Sequence, residues 1–190
     1  MVSLCKKFLL TCIIIFSLFS SGGGAILASE DKVTATISVT VSTTVQPSGH
    51  TGKPIKGARV IVINSLGEII GHMLTSSEGI ANIKVTVPKD LRFPMKNMGE
   101  VTVIAIANGY NEYINFSVPI NEFGDKRASV FLPLWEVDPT TRNEPQFNGN
   151  YHRFTVFKML NFYADKIGLV RQNLKDKSIE PPPWSPDIIQ

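Results

Sequence analysis

The chain has 190 residues, a formal charge of +3, and 43% hydrophobic against 18% charged residues, a balance that fits one folded domain with extensions. Both cysteines, Cys5 and Cys12, stand near the N-terminus, so the rest of the chain has no thiol for a disulfide, a nucleophile or a metal site. So small a charge excludes a role built on long-range attraction to phosphates, and nucleic acid is not an expected partner.

The first element is a targeting segment. Lys6 and Lys7 precede the apolar run Phe8–Phe19, and the small residues SSGGGAILA follow, the order of a secretory signal. Such a run covers only about 18 Å as a helix, against a hydrocarbon core of about 30 Å. Residues 1–28 therefore read as a signal peptide cut after Ala28, with Ala25 as the alternative site. Retention as an N-terminal membrane anchor is the competing reading. The expected location is secreted or associated with the cell envelope, and loss of Lys6 and Lys7 takes the formal charge from +3 to +1.

From Lys32 to Gln46 apolar and polar residues alternate: Val33, Ala35, Ile37, Val39, Val41 and Val45 on one face, Thr34, Thr36, Ser38, Thr40, Ser42 and Thr44 on the other. This is the pattern of a strand with one solvated face. Further strands are expected at 58–64, 69–75, 80–87, 101–107, 112–118 and 127–134. Glycine turns separate several of them, among them Ser65-Leu66-Gly67, Ser76-Ser77-Glu78-Gly79 and Glu122-Phe123-Gly124. Seven short strands of this kind predict an all-β, seven-stranded antiparallel sandwich. The run PKDLRFPMKNMG, from Pro88 to Gly99, reads as a long connecting loop.

Gly52, Pro54, Ile55, Gly57, Ala58, Val60 and Val62, then Gly67, Thr75, Gly79 and Ala81, then Gly109-Tyr110 before the sixth strand, form a set. In these residues the segment 32–134 resembles the carboxypeptidase regulatory-like family, which implies a transthyretin-like, Ig-like sandwich and scaffold duty for the glycines. The loop from Pro47 to Lys53 is longer than that family's minimal connection.

Residues 135–150 read as a linker. Over 151–168 the period changes: Val156, Phe157, Leu160, Tyr163, Ala164 and Ile167 fall on one helical stripe, and Gly168 is placed to end the helix. The doubly apolar runs Val60-Ile61-Val62-Ile63 and Val103-Ile104-Ala105-Ile106 need cover on both faces, and this helix is the element expected to supply it. Residues 169–190, with Pro181-Pro182-Pro183-Trp184, read as an extended, mobile tail.

Chemistry is sparse in the sequence. The resemblance brings in transthyretin-like hydrolases and intradiol dioxygenases as related sandwiches, but the Y-R-G-S of the former and the H-x-H of the latter do not occur. His50, His72 and His152 share no metal-site spacing. Asp138, Asn143, Glu144 and Asn148 match no calcium loop. Asn115-Phe116-Ser117 is a sequon taken as chance. No catalytic residue, cofactor or metal is expected, and the chain reads as a non-enzyme: a structural or interaction module of the envelope or secreted space. A carbohydrate-binding module, or an accessory subunit of an exported hydrolase, is the alternative. The partner is then an envelope protein or a glycan. Candidate contact residues are Met159 and Phe162, which fall off the helical stripe, and the aromatics Trp135, Tyr110 and Tyr113.

Overall fold

The computed structural model describes residues 32–44, 52–121 and 127–189. The signal segment, Val45 and the turn at Glu122-Phe123-Gly124 lie outside them. Ten strands and one helix follow in the order β1 (Lys32–Thr43), β2 (Arg59–Asn64), β3 (Ile69–Leu74), β4 (Ile80–Pro88), β5 (Met98–Ile106), β6 (Tyr113–Asn121), β7 (Arg127–Leu134), β8 (Gln146–Phe147), α1 (Arg153–Lys166), β9 (Leu169–Arg171) and β10 (Trp184–Ile188).

The strands form three sheets, ordered β4-β1-β7, β3-β2-β5-β6-β8 and β10-β9. The first two make the sandwich. Val33, Ala35, Ile37, Val39 and Val41 of β1 meet Val60 and Val62 of β2, Val103 and Ala105 of β5 and Val118 and Ile120 of β6 in one buried core. The other face of β1 holds half-exposed Thr34, Thr36, Ser38 and Thr40, and Thr34 and Thr86 share a hydroxyl hydrogen bond of 2.9 Å across β1 and β4. From Val33 to Val41 the alternation read in the sequence is the alternation of burial, whereas Ser42, expected on the solvated face, is buried.

The expectation of seven antiparallel strands is corrected. There are ten among the described residues, and two pairings are parallel: β1 with β7 and β6 with β8. Single-strand alternation fixes which face is buried but carries no information about the direction of a neighbour, so β1–β7 was not readable locally. The loop expected over Pro88–Gly99 gives way to β5 at Met98, where Asp90 N–H donates to Met98 O at 2.8 Å.

The glycine-rich set does structural work. Thr75 Oγ1 donates to Ile55 O at 2.6 Å and accepts from Ala58 N–H at 2.9 Å, tying the Gly52–Ala58 segment to the end of β3. Gly79 sits at φ +71°, where an added Cβ would lie 2.4 Å from Val41 O. Only glycine meets both conditions without strain.

Helix α1 covers the second face of the larger sheet. Val156, Leu160, Tyr163 and Ala164 are buried against Ile61, Ile63, Ile104, Ile106 and Ile114, the isoleucines that the first core leaves over. Tyr163 Oη donates to Gly67 O at 3.1 Å, locking the helix to the β2–β3 turn. Gly168, at φ +74°, follows the helix end, and its N–H donates to Asp165 O at 3.0 Å.

The tail expected to be mobile is corrected as well. β9 and β10 pair antiparallel, Trp184 joins the second core, and Arg59 Nε of β2 donates to Pro186 O at 2.7 Å. Nor is 135–150 a plain linker. It contains β8 and a turn in which Asp138 Oδ1 accepts from Thr140 N–H at 2.8 Å.

Candidate functional site

The C-terminal hairpin is held by side chains that the sequence reading passed over. The two N–H groups of buried Gln172 Nε2 are shared among Ala107 O (3.0 Å), Tyr110 O (3.0 Å) and Trp184 O (2.9 Å), and its Oε1 accepts from Gly109 N–H at 2.8 Å. Glu112, 2% exposed, accepts from Trp184 N–H at 2.5 Å. The Arg171 guanidinium stacks 3.8 Å from the centre of the Trp184 ring. Asn161 Oδ1 accepts from Arg171 Nη2 (2.8 Å) and from Trp184 Nε1 (2.9 Å). The tail Trp therefore has its platform, built of a cation, a carboxyl and an amide.

Beneath this hairpin lies a cavity of about 440 Å³. Its floor is Asn111 and Glu112, where the chain enters β6. The 139–145 turn forms one wall, α1 another through Arg153, Phe157 and Asn161, and Ser178–Pro183 closes over it. At the mouth Glu144 receives two arginines, Arg142 and Arg153, the latter at 2.5 Å.

The floor carries an unusual amide. Asn143 Nδ2 donates to Asp138 O (2.8 Å) and Thr141 O (3.2 Å), so its Oδ1 faces Asp138 N–H (3.0 Å) and Asn111 Nδ2 (3.2 Å). That orients the Asn111 amide, with Oδ1 turned away from Asn143. Asn111 is 4% exposed. Among the described residues its Oδ1 is the one buried side-chain nitrogen or oxygen without a hydrogen-bond partner. Beside it, burial pushes the Glu112 carboxyl above its ordinary range, opposed by the Trp184 N–H and the nearby Arg171 charge. A buried orphan acceptor costs free energy, and a carboxyl whose pKa is shifted by burial in a cleft is a candidate for function.

The candidate contact residues named from the sequence do not gather here. Phe162, 57% exposed, stands edge-on to Tyr163 with ring centres 5.1 Å apart. Met159 packs half-buried against the second core. Tyr110 and Tyr113 pack against the first core. Trp135 is 53% exposed and does not line the cavity. His72 lies on Arg59 at 3.1 Å, His152 precedes α1, and His50 lies outside the described residues. The signal for the site that does form was present but faint: Asn111-Glu112 interrupts the apolar entry to a strand, and Arg142, Arg153 and Arg171 recur along segments read as linker, helix and tail.

No protein-family model matches the chain, and no curated protein does. Solved structures that match part of the chain include the TIE protein of Bacillus anthracis, at 19% identity and a TM-score of 0.40, covering 55% of this chain and 18% of that one. A catechol 1,2-dioxygenase of Acinetobacter radioresistens matches at 16% identity and a TM-score of 0.37, covering 69% and 59%. The shaft pilin SpaA of Lactobacillus rhamnosus GG matches at 12% and 0.33, covering 56% and 52%. The chain thus spans less than two thirds of each of these. The presence of an enzyme among them corrects the expectation that this chain is not one. That expectation rested on absent motifs, whereas a fold brings together residues that no motif joins. At such identities, and with each of these TM-scores below 0.5, the likeness assigns neither a family nor a reaction to this chain. No helix of the described residues is long and apolar enough to cross a membrane.

Proposed function

We propose that the chain is an interaction module of the cell envelope or secreted space, exported by its N-terminal signal, which holds a small ligand or a partner's projecting group in the cleft beneath its C-terminal hairpin. One observation carries this reading: Asn111, whose Oδ1 is buried without a partner, and the two arginines paired on Glu144 line one cavity of about 440 Å³. The Asn111 amide is held through its Nδ2, which donates to Asn143 Oδ1 at 3.2 Å, while its oxygen stays unpaired at a cost in free energy. The carboxypeptidase regulatory-like resemblance of Gly52–Ala81 supports a scaffold role for the sandwich, leaving the extension to carry recognition.

Size-fractionated envelope extract added to the mature protein tests the binding. A fraction that raises the Tm of the wild type and leaves Asn111→Leu unmoved is the expected result, and the reading fails when no fraction does so. Mass spectrometry of the exported protein tests the location: a species starting at Ser29 is expected, and one retaining Lys6 and Lys7 marks an anchor instead.

A further inference from the structure

The two most exposed large hydrophobic side chains among the described residues share one loop. Between β4 and β5, residues 91–97 are all exposed, and Met95 (96%) and Leu91 (85%) flank Phe93 (43%). Single exposed apolar residues are ordinary, but three within five positions form a patch that water penalises. None of the three belongs to either core. The loop is nonetheless shaped. Asp90 N–H donates to Met98 O across its base (2.8 Å), and bonds from Phe93 N–H to Asp90 O (3.0 Å) and from Lys96 N–H to Phe93 O (2.9 Å) make two successive turns. Arg92 ties the loop to β5 by pairing with both Asp90 and Glu100. The apolar tip is thus held out from the sandwich by bonds at its base.

The charges of the loop select its partner. Three cations, Lys89, Arg92 and Lys96, stand against one carboxylate, Asp90, between Lys89 and Asn97. Lys96 Nζ lies 5.7 Å from the centre of the Phe93 ring, an ammonium at the edge of an apolar tip. A lysine so placed keeps its head at a polar boundary while its apolar neighbours pass through it. The loop also leaves the sandwich where the chain enters it, because Lys32, the first residue of β1, pairs with Pro88. The apolar run Phe8–Phe19 is therefore joined to the domain at this end. We infer that the β4–β5 loop docks on the surface of an anionic bilayer, with Leu91, Phe93 and Met95 among the acyl chains and Lys96 at the headgroup phosphates. The inference draws nothing from the cleft, but it gives the cleft a direction. β5 runs from Met98, at the loop, to Ala105, which pairs with Tyr113 next to the cleft floor, about 23 Å further along a strand. The cleft sits at the end remote from the bilayer.

Co-sedimentation of the full mature protein with vesicles of phosphatidylglycerol or of phosphatidylcholine decides the matter. Phosphatidylglycerol vesicles are expected to bind it about fivefold or more tighter, the factor that one lysine gives at an anionic surface, and Lys96→Glu is expected to abolish the preference. Leu91→Ser combined with Met95→Ser, both at exposed positions, is expected to weaken binding about tenfold or more at unchanged Tm. Phe154→Ser, on α1 and 59% exposed, is expected to leave binding as it was. Because the chain beyond Cys12 has no cysteine, Met95→Cys accepts a single environment-sensitive dye. Its emission is expected to shift to the blue on vesicles and to be quenched by brominated acyl chains, which adsorption by charge alone does not produce. No binding to phosphatidylglycerol, equal binding to the two vesicles, or a dye that stays in water on the bound protein overturns the assignment. A loop that serves a protein partner instead gives the first of these results.

Discussion

Three residues carry consequences that single substitutions expose. Gly79→Ala would place a methyl 2.4 Å from Val41 O at a φ of +71°, and overpacking with backbone strain predicts a loss of about 1–3 kcal/mol, read as a lower midpoint in urea. Gln172→Leu strips a partner from three carbonyls and from the Gly109 amide, of which Ala107 O keeps its bond from Tyr110 N–H. With about 1–3 kcal/mol at stake for each buried group left unpaired, a loss of roughly 3 kcal/mol or more is expected, a fall in Tm of about 6–12 °C in a chain of this size. Glu112 gives a pH signature. Its folded-state pKa is raised above the ordinary 4.5, first by burial, so the folded state binds the proton more tightly than the unfolded one. Its contribution is full below about pH 4.5 and is lost as pH rises toward the raised value. Glu112→Gln keeps an acceptor for Trp184 N–H and removes the titration. The Tm of wild type minus variant should therefore fall as pH rises above 4.5, and a flat difference would show that the carboxyl is not held in its neutral form.

At the scale of elements, α1 behaves as a lid on a sheet that has two apolar faces. Leu160 is buried among the isoleucines of β2, β5 and β6, and Leu160→Ala is expected to cost about 2–5 kcal/mol. Truncation after Leu134 removes the whole cover, and should lower Tm and raise hydrophobic-dye binding. This much was legible in the sequence. The surplus of isoleucine at positions 61, 63, 104 and 106, set against a stripe at helical spacing, announced a docked helix, because an apolar face with no partner is costly. The hairpin after Gly168 was not legible. Its strands are short and aperiodic, and the proline run reads as extended chain. What orders it is long-range: a carboxyl at 112, an amide at 172 and a guanidinium at 171 that meet only once the sandwich has formed. For the same reason the cleft was invisible, its residues being spread from 111 to 183 with no spacing that a motif could hold.

Across the whole molecule, sandwich, helix and hairpin share buried surface, so they should melt as one unit. Trp135 is exposed and Trp184 buried, which separates the reporters. In Trp135→Phe the remaining emission should be blue-shifted and poorly quenched by acrylamide. Its thermal transition should coincide with that of the β-sheet signal in circular dichroism. An earlier fluorescence transition would mark the hairpin as an independent, weaker unit.

The bond from Arg59 to Pro186 joins positions 127 apart along the chain, and that from Glu112 to Trp184 spans 72. Contacts of such range form late, since much of the chain must be ordered first. They also impose an order on biosynthesis. A chain that emerges N-terminus first, from a ribosome or a translocation pore, passes through a stage at which Ile61, Ile63, Ile104 and Ile106 are present while α1 is still to come. At that stage a chaperone meets a bare apolar sheet face, and an edge open to mispairing. The cleft itself has no nascent form: until Trp184 has arrived, Glu112 lacks the Trp184 amide and Arg171 has no ring to cover, so the cleft is the last feature the molecule acquires.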